Sequence, residues 1–274
     1  MNDSTQKSHY DQIYPDSESE YGMPDRKIIS DTLQKRIISK KILSVGCGSG
    51  NDIWYLADDN FVTGLDYSIG GLSVGKKHNI HGVISDLNFS PLLPFEDDSF
   101  DIVICKDILE HILDPLFVLQ EARRIVKSDG YIVISVPNHF HLPSRIRILL
   151  GKGLMWKSVG SDHGKYYQEW DYMHIRFFTF NGFGKLLKKS KLTPIKWFWD
   201  FGNLAHYNNP DMWLEPQQWK RKHSKPLTTR GKLGLNIIQP LWKLFNLLFP
   251  KPLRSLIVSK SPNLLCAGFY VWVR

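Results

Sequence analysis

The sequence has few cysteines and no apolar run long enough to span a membrane. Its three cysteines are far apart and odd in number, which disfavours a disulfide framework and favours a reducing compartment. The most apolar stretch, residues 233–250, is interrupted by Pro240 and Lys243, whereas a membrane-spanning helix needs roughly 18 apolar residues. The chain also begins without the basic start and apolar run of a secretory signal. These absences predict a cytoplasmic protein.

Acidic residues are scarce in the second half of the chain. Residues 1–138 contain 13 Lys and Arg against 21 Asp and Glu, a net charge of −8, whereas residues 139–274 contain 22 against 6, a net charge of +16. Eight of the nine tryptophans also lie in that second half. Cations mixed with aromatics suit anionic lipid headgroups or nucleic acid, and a helical cap with solvated lysines is the plain alternative. We favour the lipid surface and the cap over nucleic acid.

Glycine is concentrated in one short stretch, ILSVGCGSGND. Gly46, Gly48 and Gly50 directly follow an apolar run, and glycine is tolerated where a backbone turns sharply or lies against a ligand. In an open parallel sheet, ligands bind at the carboxyl ends of the strands, and an acidic residue about 20 positions after the glycine turn holds a ribose. Asp66 stands 20 positions after Gly46. The pattern therefore predicts a site for a nucleoside-like ligand.

The glycine spacing leaves two cofactor classes open. Dinucleotide-binding proteins use G-x-G-x-x-G, in which the third glycine lets helix and strand pack closely beneath a pyrophosphate. The third-glycine position of that version is occupied here by Asn51. The turn is therefore favourable for a nucleoside methyl donor, and an NAD(P)-binding oxidoreductase stays the less favoured alternative.

Short runs rich in Val and Ile alternate with helical segments along the first half of the chain. This alternation predicts a doubly wound, mostly parallel α/β sheet. One helix is well marked, with Asp114 as its N-cap, Pro115 at its first position and Gly130 as its expected end. We predict further helices in NDIWYLADD, in FTFNGFGKLLKKSK and within residues 202–262. The predicted strands are KKILSV, FVTGLD, HGVISD, FDIVICKD, GYIVISVP, LTPIKWFWD and LLCAGFYVWVR.

Four further segments occur in a recognisable order: LPFEDDSFDIV, LEHILDP, EARRIVKSDG and VPN. With the glycine turn, they strongly resemble the class I S-adenosylmethionine-dependent methyltransferases, in the small-molecule branch with a type 11 methyltransferase domain that includes MetW-like and UbiE/UbiG-like enzymes. The resemblance covers residues 30–200. It implies a Rossmann-like fold with a seven-stranded, mostly parallel sheet, an antiparallel last strand and a helical substrate-side cap. KSDG departs from the double glycine that the family commonly has there.

The resemblance also implies which residues contact S-adenosylmethionine. Some would line its methionine and ribose, one would hold the ribose hydroxyls, and others would contact the adenine or border the transferred methyl group. In chain order these residues are Gly46, Cys47, Gly48, Asp66, Tyr67, Asp86, Leu87, Lys106 and Asp107.

The candidate catalytic residues are Asp107, His111 and His174. Asp107 and His111 would share one face if a helix began at Asp107, and His111 would then be a general base or a structural residue. In DYMHIRFFT, His174 and Arg176 would orient the acceptor or pin their loop. The histidines of HNIH and HFH have no ligand at metal-site spacing, so we expect no metal.

These observations predict a flexible arm at 1–24, a methyltransferase domain at 25–200 plus 263–274, and a basic, aromatic-rich cap at 202–262. The expected reaction is methyl transfer to an oxygen, or in second place a nitrogen, of a small-molecule, sugar or lipid-linked glycan acceptor. Peripheral contact with an anionic inner membrane face is expected. The alternatives are a non-catalytic MetW-like cofactor-binding partner and an RNA methyltransferase. Against nucleobase amino methylation, no Asn/Asp-Pro-Pro-Tyr/Phe motif follows the fourth strand.

Overall fold

The computed structural model describes residues 37–50, 53–89, 92–151, 174–198, 251–266 and 268–274, and the single positions 236, 240, 244, 247 and 248. The predicted arm at 1–24 and most of the predicted cap at 202–262 lie outside these residues, so the proposed domain boundaries stay predictions. Among the described residues, no helix is long and apolar enough to cross a membrane.

A seven-stranded sheet with the strand order β3-β2-β1-β4-β5-β7-β6 organises the chain. The strands coincide with the runs rich in Val and Ile that the sequence marks, which confirms the predicted α/β class. Their bounds are Lys41–Val45 (β1), Phe61–Asp66 (β2), Ile80–Ile84 (β3), Phe100–Lys106 (β4), Val126–Pro137 (β5), Pro194–Phe198 (β6) and Gly268–Val273 (β7).

The first five strands run parallel, with β1 between β2 and β4. The strand order therefore reverses between β1 and β4, which is where an open α/β sheet binds its ligand. The register places Asp66 opposite Ile84 and Lys106 opposite Ser135. The chemistry-bearing residues thus gather at the carboxyl edge of the sheet.

The last strand runs antiparallel to its neighbour β6. Thr193 and Arg274 exchange two backbone hydrogen bonds, of 2.6 and 3.0 Å, which is the pattern of an antiparallel pair. The guanidinium of Arg274 also donates to the carbonyl of Asp129, so the end of β7 lies beside the first half of β5. The expected antiparallel last strand is confirmed.

Two of the predicted helices, Pro115–Ile125 and Phe180–Lys189, are confirmed. The helix predicted in NDIWYLADD is only a 3₁₀ turn at Trp54–Leu56 within the described part of that segment, and the helices Ile69–Lys76 and Leu142–Leu149 were not predicted. The Asp114 side chain accepts from the N–H of Phe117 and caps a helix with Pro115 at its start. That helix ends at Ile125, and Gly130 lies inside β5, so Gly130 as the helix end is wrong. The bounds are Ile69–Lys76 (α1), Pro115–Ile125 (α2), Leu142–Leu149 (α3), Phe180–Lys189 (α4), Lys251–Lys260 (α5) and Pro262–Leu265 (α6), with 3₁₀ turns at Trp54–Leu56 and Leu109–His111.

The core lies on both faces of the central strands. Ile42, Val62 and Val103 are fully buried, which explains why these strands read as continuous apolar runs rather than as alternating ones. Each such side chain contributes about 1.5–3 kcal/mol when it leaves water. This core holds the carboxyl ends of β1, β2 and β4 in fixed positions.

The chain divides into two compact units. The first comprises residues 1–136, 181–197 and 270–274, and the second comprises residues 137–180 and 198–269. The first unit contains the parallel strands and the glycine turn. The second contains α3, α5 and α6.

Candidate active site

The glycine turn after β1 adopts a backbone that side chains would strain. Gly46 and Gly48 have φ angles of +69° and +53°, in the left-handed region that glycine enters at little cost. A Cβ on Gly46 would also collide with the side chain of Ile108. The N–H groups of Gly46 and Cys47 donate to the Leu65 carbonyl, at 2.7 and 3.2 Å. The turn is therefore fastened to the end of β2.

Asp66, the last residue of β2, holds its carboxylate against this turn. Its Oδ2 accepts the N–H of Gly48 at 2.7 Å and its Oδ1 accepts the N–H of Ser68 at 2.8 Å. Burial raises the pKa of Asp66 above its ordinary value, and the hydrogen bonds from Ser68 and Gly48 oppose that rise. An ionised carboxylate has about four acceptor positions, so this one keeps capacity for ligand hydroxyls.

Helix α1 begins directly beside the turn. Ser68 caps it by accepting the N–H of Gly71 at 3.1 Å, and a Cβ on Gly71 would meet the Gly48 carbonyl at 2.8 Å. From the other side, the indole of Trp54 donates to the Ser49 carbonyl at 2.8 Å and stacks on His78 at 3.5 Å. These contacts fix the turn between α1 and the 3₁₀ turn.

The loop after β3 places a second carboxylate at the same edge. The Oδ1 of Asp86 accepts the N–H of Asn88 at 2.9 Å, and the Asn88 side chain accepts the N–H of Leu113 at 2.7 Å. Asp86 and Leu87 are both half-buried. Asn88 therefore links the loop of the predicted adenine contacts to the segment that follows the 3₁₀ turn at Leu109–His111.

Asp107 follows β4 in an unusual backbone conformation. Its φ is +48°, a region that costs a non-glycine residue about 1–3 kcal/mol and that is enriched at functional sites. The Ser135 hydroxyl donates to Asp107 Oδ1 at 2.8 Å and accepts the Asp107 N–H at 3.1 Å. Lys106 Nζ lies 3.4 Å from the other carboxylate oxygen. Ser135 is buried whereas the Asp107 side chain is 43% exposed. The Asp107 carboxylate is therefore held in one orientation and is still accessible to a ligand.

The predicted shared helix face of Asp107 and His111 is wrong. The left-handed backbone at Asp107 prevents a helix from beginning there, and only a 3₁₀ turn follows, at Leu109–His111. The α-helical spacing argument therefore does not apply to this pair. His111 is half-buried within that turn.

His174 belongs to the second compact unit. Its Nδ1 lies 2.8 Å from Nε2 of His139, which is buried, and the rings are nearly perpendicular. Arg176 is exposed. The imidazole pair supports the interpretation of His174 as a residue that pins its loop, and a catalytic role for it stays a prediction.

Two of the recognised segments, LPFEDD and EARR, meet in an ion-pair network. Arg124 makes two hydrogen bonds to Glu121, of 2.9 and 2.7 Å, and one of 2.7 Å to Asp97. It also donates to the carbonyls of Leu93 and Phe95. The hydrogen bond from Arg124 holds the pKa of Glu121 below its ordinary value. These segments therefore anchor the loop before β4 and have a structural role.

A comparison with protein families identifies the class of this site. Residues 43–134 match a family model described as a methyltransferase domain. That segment runs from β1 to β5 and includes the glycine turn, Asp66, Asp86 and Asp107.

Curated relatives of this domain are O-methyltransferases. The chain is 32% identical over 133 residues to the ubiquinone biosynthesis O-methyltransferase of Haemophilus ducreyi. The aligned segment covers 45% of this chain and 56% of that protein. It is 33% identical over 109 residues to the enzyme of the same name from Paracidovorax citrulli. That alignment covers 36% of this chain and 44% of that protein. The chain thus matches about half the length of these relatives.

Solved structures share the fold at lower identity. Phosphoethanolamine N-methyltransferase 2 of Haemonchus contortus, in complex with S-adenosyl-L-methionine, matches with a TM-score of 0.53 and 17% identity over 98% of this chain and 55% of that one. The [4+2]-cyclase SpnF matches with a TM-score of 0.52 and 14% identity over 90% of this chain and 79% of that one. A cyclase among the neighbours means that the fold alone does not decide the reaction.

Sequence reasoning missed two residues of the site, Ser135 and Asn88. Ser135 had a weak signal, because it is a hydroxyl within the apolar run of GYIVISVP. Asn88 stands two positions after Asp86, and an Asp side chain commonly accepts the N–H two residues on. That signal predicts the local turn but not the bond to Leu113.

Proposed function

We propose that the protein is a methyltransferase that transfers the methyl group of S-adenosylmethionine to an oxygen of a small-molecule, sugar or lipid-linked glycan acceptor. The observation that carries the proposal is the Asp66 carboxylate, which the N–H groups of Gly48 and Ser68 hold at the end of β2. Its position at the carboxyl end of β2, beside the glycine turn that follows β1, fits a ribose, and that turn lets the backbone approach the rest of the cofactor.

The residues present fit an adenosyl cofactor. Asp66 would accept hydrogen bonds from the ribose hydroxyls beside Tyr67, and Asp86 would accept from the adenine amino group while Leu87 packs on the ring. Gly46, Cys47 and Gly48 would line the ribose and methionine, and Lys106 would border the methionine. Bound here, S-adenosylmethionine supplies an electrophilic methyl group on a positive sulfur.

Asp107 is our candidate for the residue that handles the acceptor hydroxyl. Ser135 fixes one carboxylate oxygen and the other lies near Lys106. An exposed, oriented carboxylate can accept the proton that the hydroxyl loses as its oxygen bonds to the methyl carbon. Holding the hydroxyl in line with the methyl group and excluding water supply the remainder of the catalysis. His111, in the following turn, is the second candidate for the base.

Two observations support the choice of acceptor. The curated relatives are named for O-methyl transfer in ubiquinone biosynthesis, which supports oxygen as the accepting atom. The +16 charge of residues 139–274 and their tryptophans support an acceptor at an anionic membrane surface. We therefore propose that the protein lies in the cytoplasm, peripherally at the inner membrane face.

Calorimetric titration with S-adenosylmethionine, S-adenosylhomocysteine and NAD⁺ tests the cofactor assignment. We expect binding of the first two and none of NAD⁺, and the reverse would favour an oxidoreductase. Incubation with methyl-tritiated S-adenosylmethionine and separate extracts of lipid-linked glycans, free sugars and RNA tests the acceptor. Label that is stable in the glycan or sugar fraction supports the proposal. Label in RNA contradicts the acceptor class, and cofactor binding without transfer to any fraction supports a non-catalytic partner.

A further inference from the structure

Helix α3 presents its apolar side to solvent. Leu142, Ile146 and Leu149 recur at the spacing of one helical face and are 45%, 48% and 85% exposed. Leu150, which follows the helix, is 66% exposed. Ser144, about 200° away round the helix, is buried. Ile148, about 40° from Ser144 round the helix, is 48% exposed as well. A helix that packs on a core buries its apolar stripe, whereas α3 leaves its apolar side chains exposed.

One cation lies directly beside that apolar face. Arg145 is exposed and its Nε donates to the Phe140 carbonyl at 2.6 Å, and Arg147 of the same helix is half-buried. Over residues 139–274, most of which belong to the second unit, 22 Lys and Arg stand against 6 Asp and Glu. The face therefore complements a negatively charged partner.

A second helix of the same unit repeats the pattern. In α5, Leu253, Leu256 and Ile257 stand at one helical face and are 40%, 57% and 37% exposed, whereas Val258 is fully buried. The helix contains three basic residues and no acidic one. Two helices of one unit thus expose aliphatic stripes, and both helices are basic in sequence.

We infer that the second compact unit binds the surface of an anionic lipid bilayer through the outward faces of α3 and α5. The inference rests on the membrane placement proposed above, and it names the contact surface and the lipid charge. Insertion of an exposed aliphatic stripe between lipid headgroups favours binding, and nearby arginines favour it further through their attraction to anionic phosphates. The exposed residues of the stripe are Leu and Ile rather than aromatic, which suits acyl chains and not the stacking of nucleic-acid bases.

Flotation of the full chain with vesicles tests this inference. One set contains phosphatidylcholine and phosphatidylglycerol at 3:1, the other phosphatidylcholine alone, each at low and high salt. We expect binding to the anionic vesicles that weakens with salt. The double variant Ile146→Ser/Leu149→Ser should bind about tenfold less. Ile38→Ser, which removes an isoleucine 55% exposed in the first unit, should bind like the native chain.

Several outcomes would overturn the inference. No binding to anionic vesicles, equal binding to both vesicle types, or a double variant that binds like Ile38→Ser would each contradict it. The inference would also be contradicted if the native chain were a dimer that binds no vesicles and the double variant were a monomer. RNA binding in place of lipid binding would contradict it as well. Titration of the same samples with S-adenosylmethionine separates the two proposals. If all three chains bind the cofactor but the native chain does not bind vesicles, the membrane inference fails while the proposed function stands.

Discussion

The hydroxyl of Ser135 donates a 2.8 Å hydrogen bond to Oδ1 of Asp107, across the carboxyl ends of β5 and β4. The same hydroxyl accepts the Asp107 N–H at 3.1 Å. One buried residue thus fixes both the strained backbone and the carboxylate of the candidate base.

Ser135→Ala should impair methyl transfer without impairing cofactor binding. Loss of the hydroxyl frees the Asp107 carboxylate, and a positioned base contributes roughly 10²–10⁴-fold to a rate. We expect kcat to fall by at least about tenfold, with the Kd for S-adenosylmethionine unchanged within about twofold. Ser135→Thr keeps the hydroxyl and should restore most of the activity. An unchanged kcat, or a parallel loss of cofactor affinity, would show that Ser135 has no positioning role.

Asn88→Ala should weaken adenine recognition. The variant removes the acceptor for the Leu113 N–H and loosens the loop that orients Asp86. We expect a Kd for S-adenosylhomocysteine about 5–10-fold higher, because a lost hydrogen bond costs about 1 kcal/mol. Asn88→Asp retains an acceptor oxygen and should bind like the native chain.

S-inosylhomocysteine, which lacks the 6-amino group, provides the control for that variant. Its affinity should change less than that of S-adenosylhomocysteine, because it has no 6-amino group to donate to Asp86. Equal losses for both ligands would mean that Asn88 acts on the whole pocket rather than on the adenine loop.

Arg124→Ala should destabilise the fold by about 3 kcal/mol, since it leaves the buried Glu121 carboxylate without its ion-pair partner. Arg123→Ala, at the neighbouring exposed position, should change the free energy of unfolding little. The pKa of Glu121 is lowered from 4.5, so the pair stabilises the fold above pH 4.5 and loses this effect as the pH falls through the lowered value. Urea unfolding of both variants at pH 7 and at pH 3.5 measures this difference.

As the pH is lowered, cofactor affinity should begin to decline at a higher pH than it would with an aspartate of ordinary pKa. In the proposed site the ionised form of Asp66 would accept the ribose hydroxyls, and burial raises its pKa from 3.8. Affinity is therefore complete above the raised pKa and decreases as the pH falls through it, with an onset above pH 3.8. Asp66→Asn should bind weakly with little pH dependence over that range. A native profile that stays flat down to pH 3.8 would contradict this explanation.

The sequence predicted the parallel half of the sheet because its information is local. Ile42, Val62 and Val103 belong to short apolar runs, and both faces of such strands are buried. The cap of α2 was predictable for the same reason, since Asp114 and Pro115 act within one helical turn. The glycine turn was recognisable because its residue types and spacing are themselves the constraint.

The errors arose where distant contacts decide. Gly130 is a glycine because a Cβ there would meet the Asp101 carbonyl at 2.6 Å, which is a contact between β5 and β4. In the sequence, this glycine looks the same as one that ends a helix. The positive φ of Asp107 depends on Ser135, 28 residues away. Likewise, the bond from Leu113 to Asn88 joins residues 25 apart. None of these contacts has a local pattern.

The central claim is that Asp66 and the glycine turn bind the adenosyl group of S-adenosylmethionine. Calorimetric titration of Asp66→Ala tests it most directly, with Asp58→Ala, an exposed carboxylate of the same unit, as the control. The two hydrogen bonds proposed between Asp66 and the ribose hydroxyls would involve an ionised group, and such bonds contribute about 1.5–3 kcal/mol each. We predict a Kd at least about 100-fold higher for Asp66→Ala and an unchanged Kd for Asp58→Ala. Full affinity in Asp66→Ala, or no affinity in the native chain, would contradict the claim.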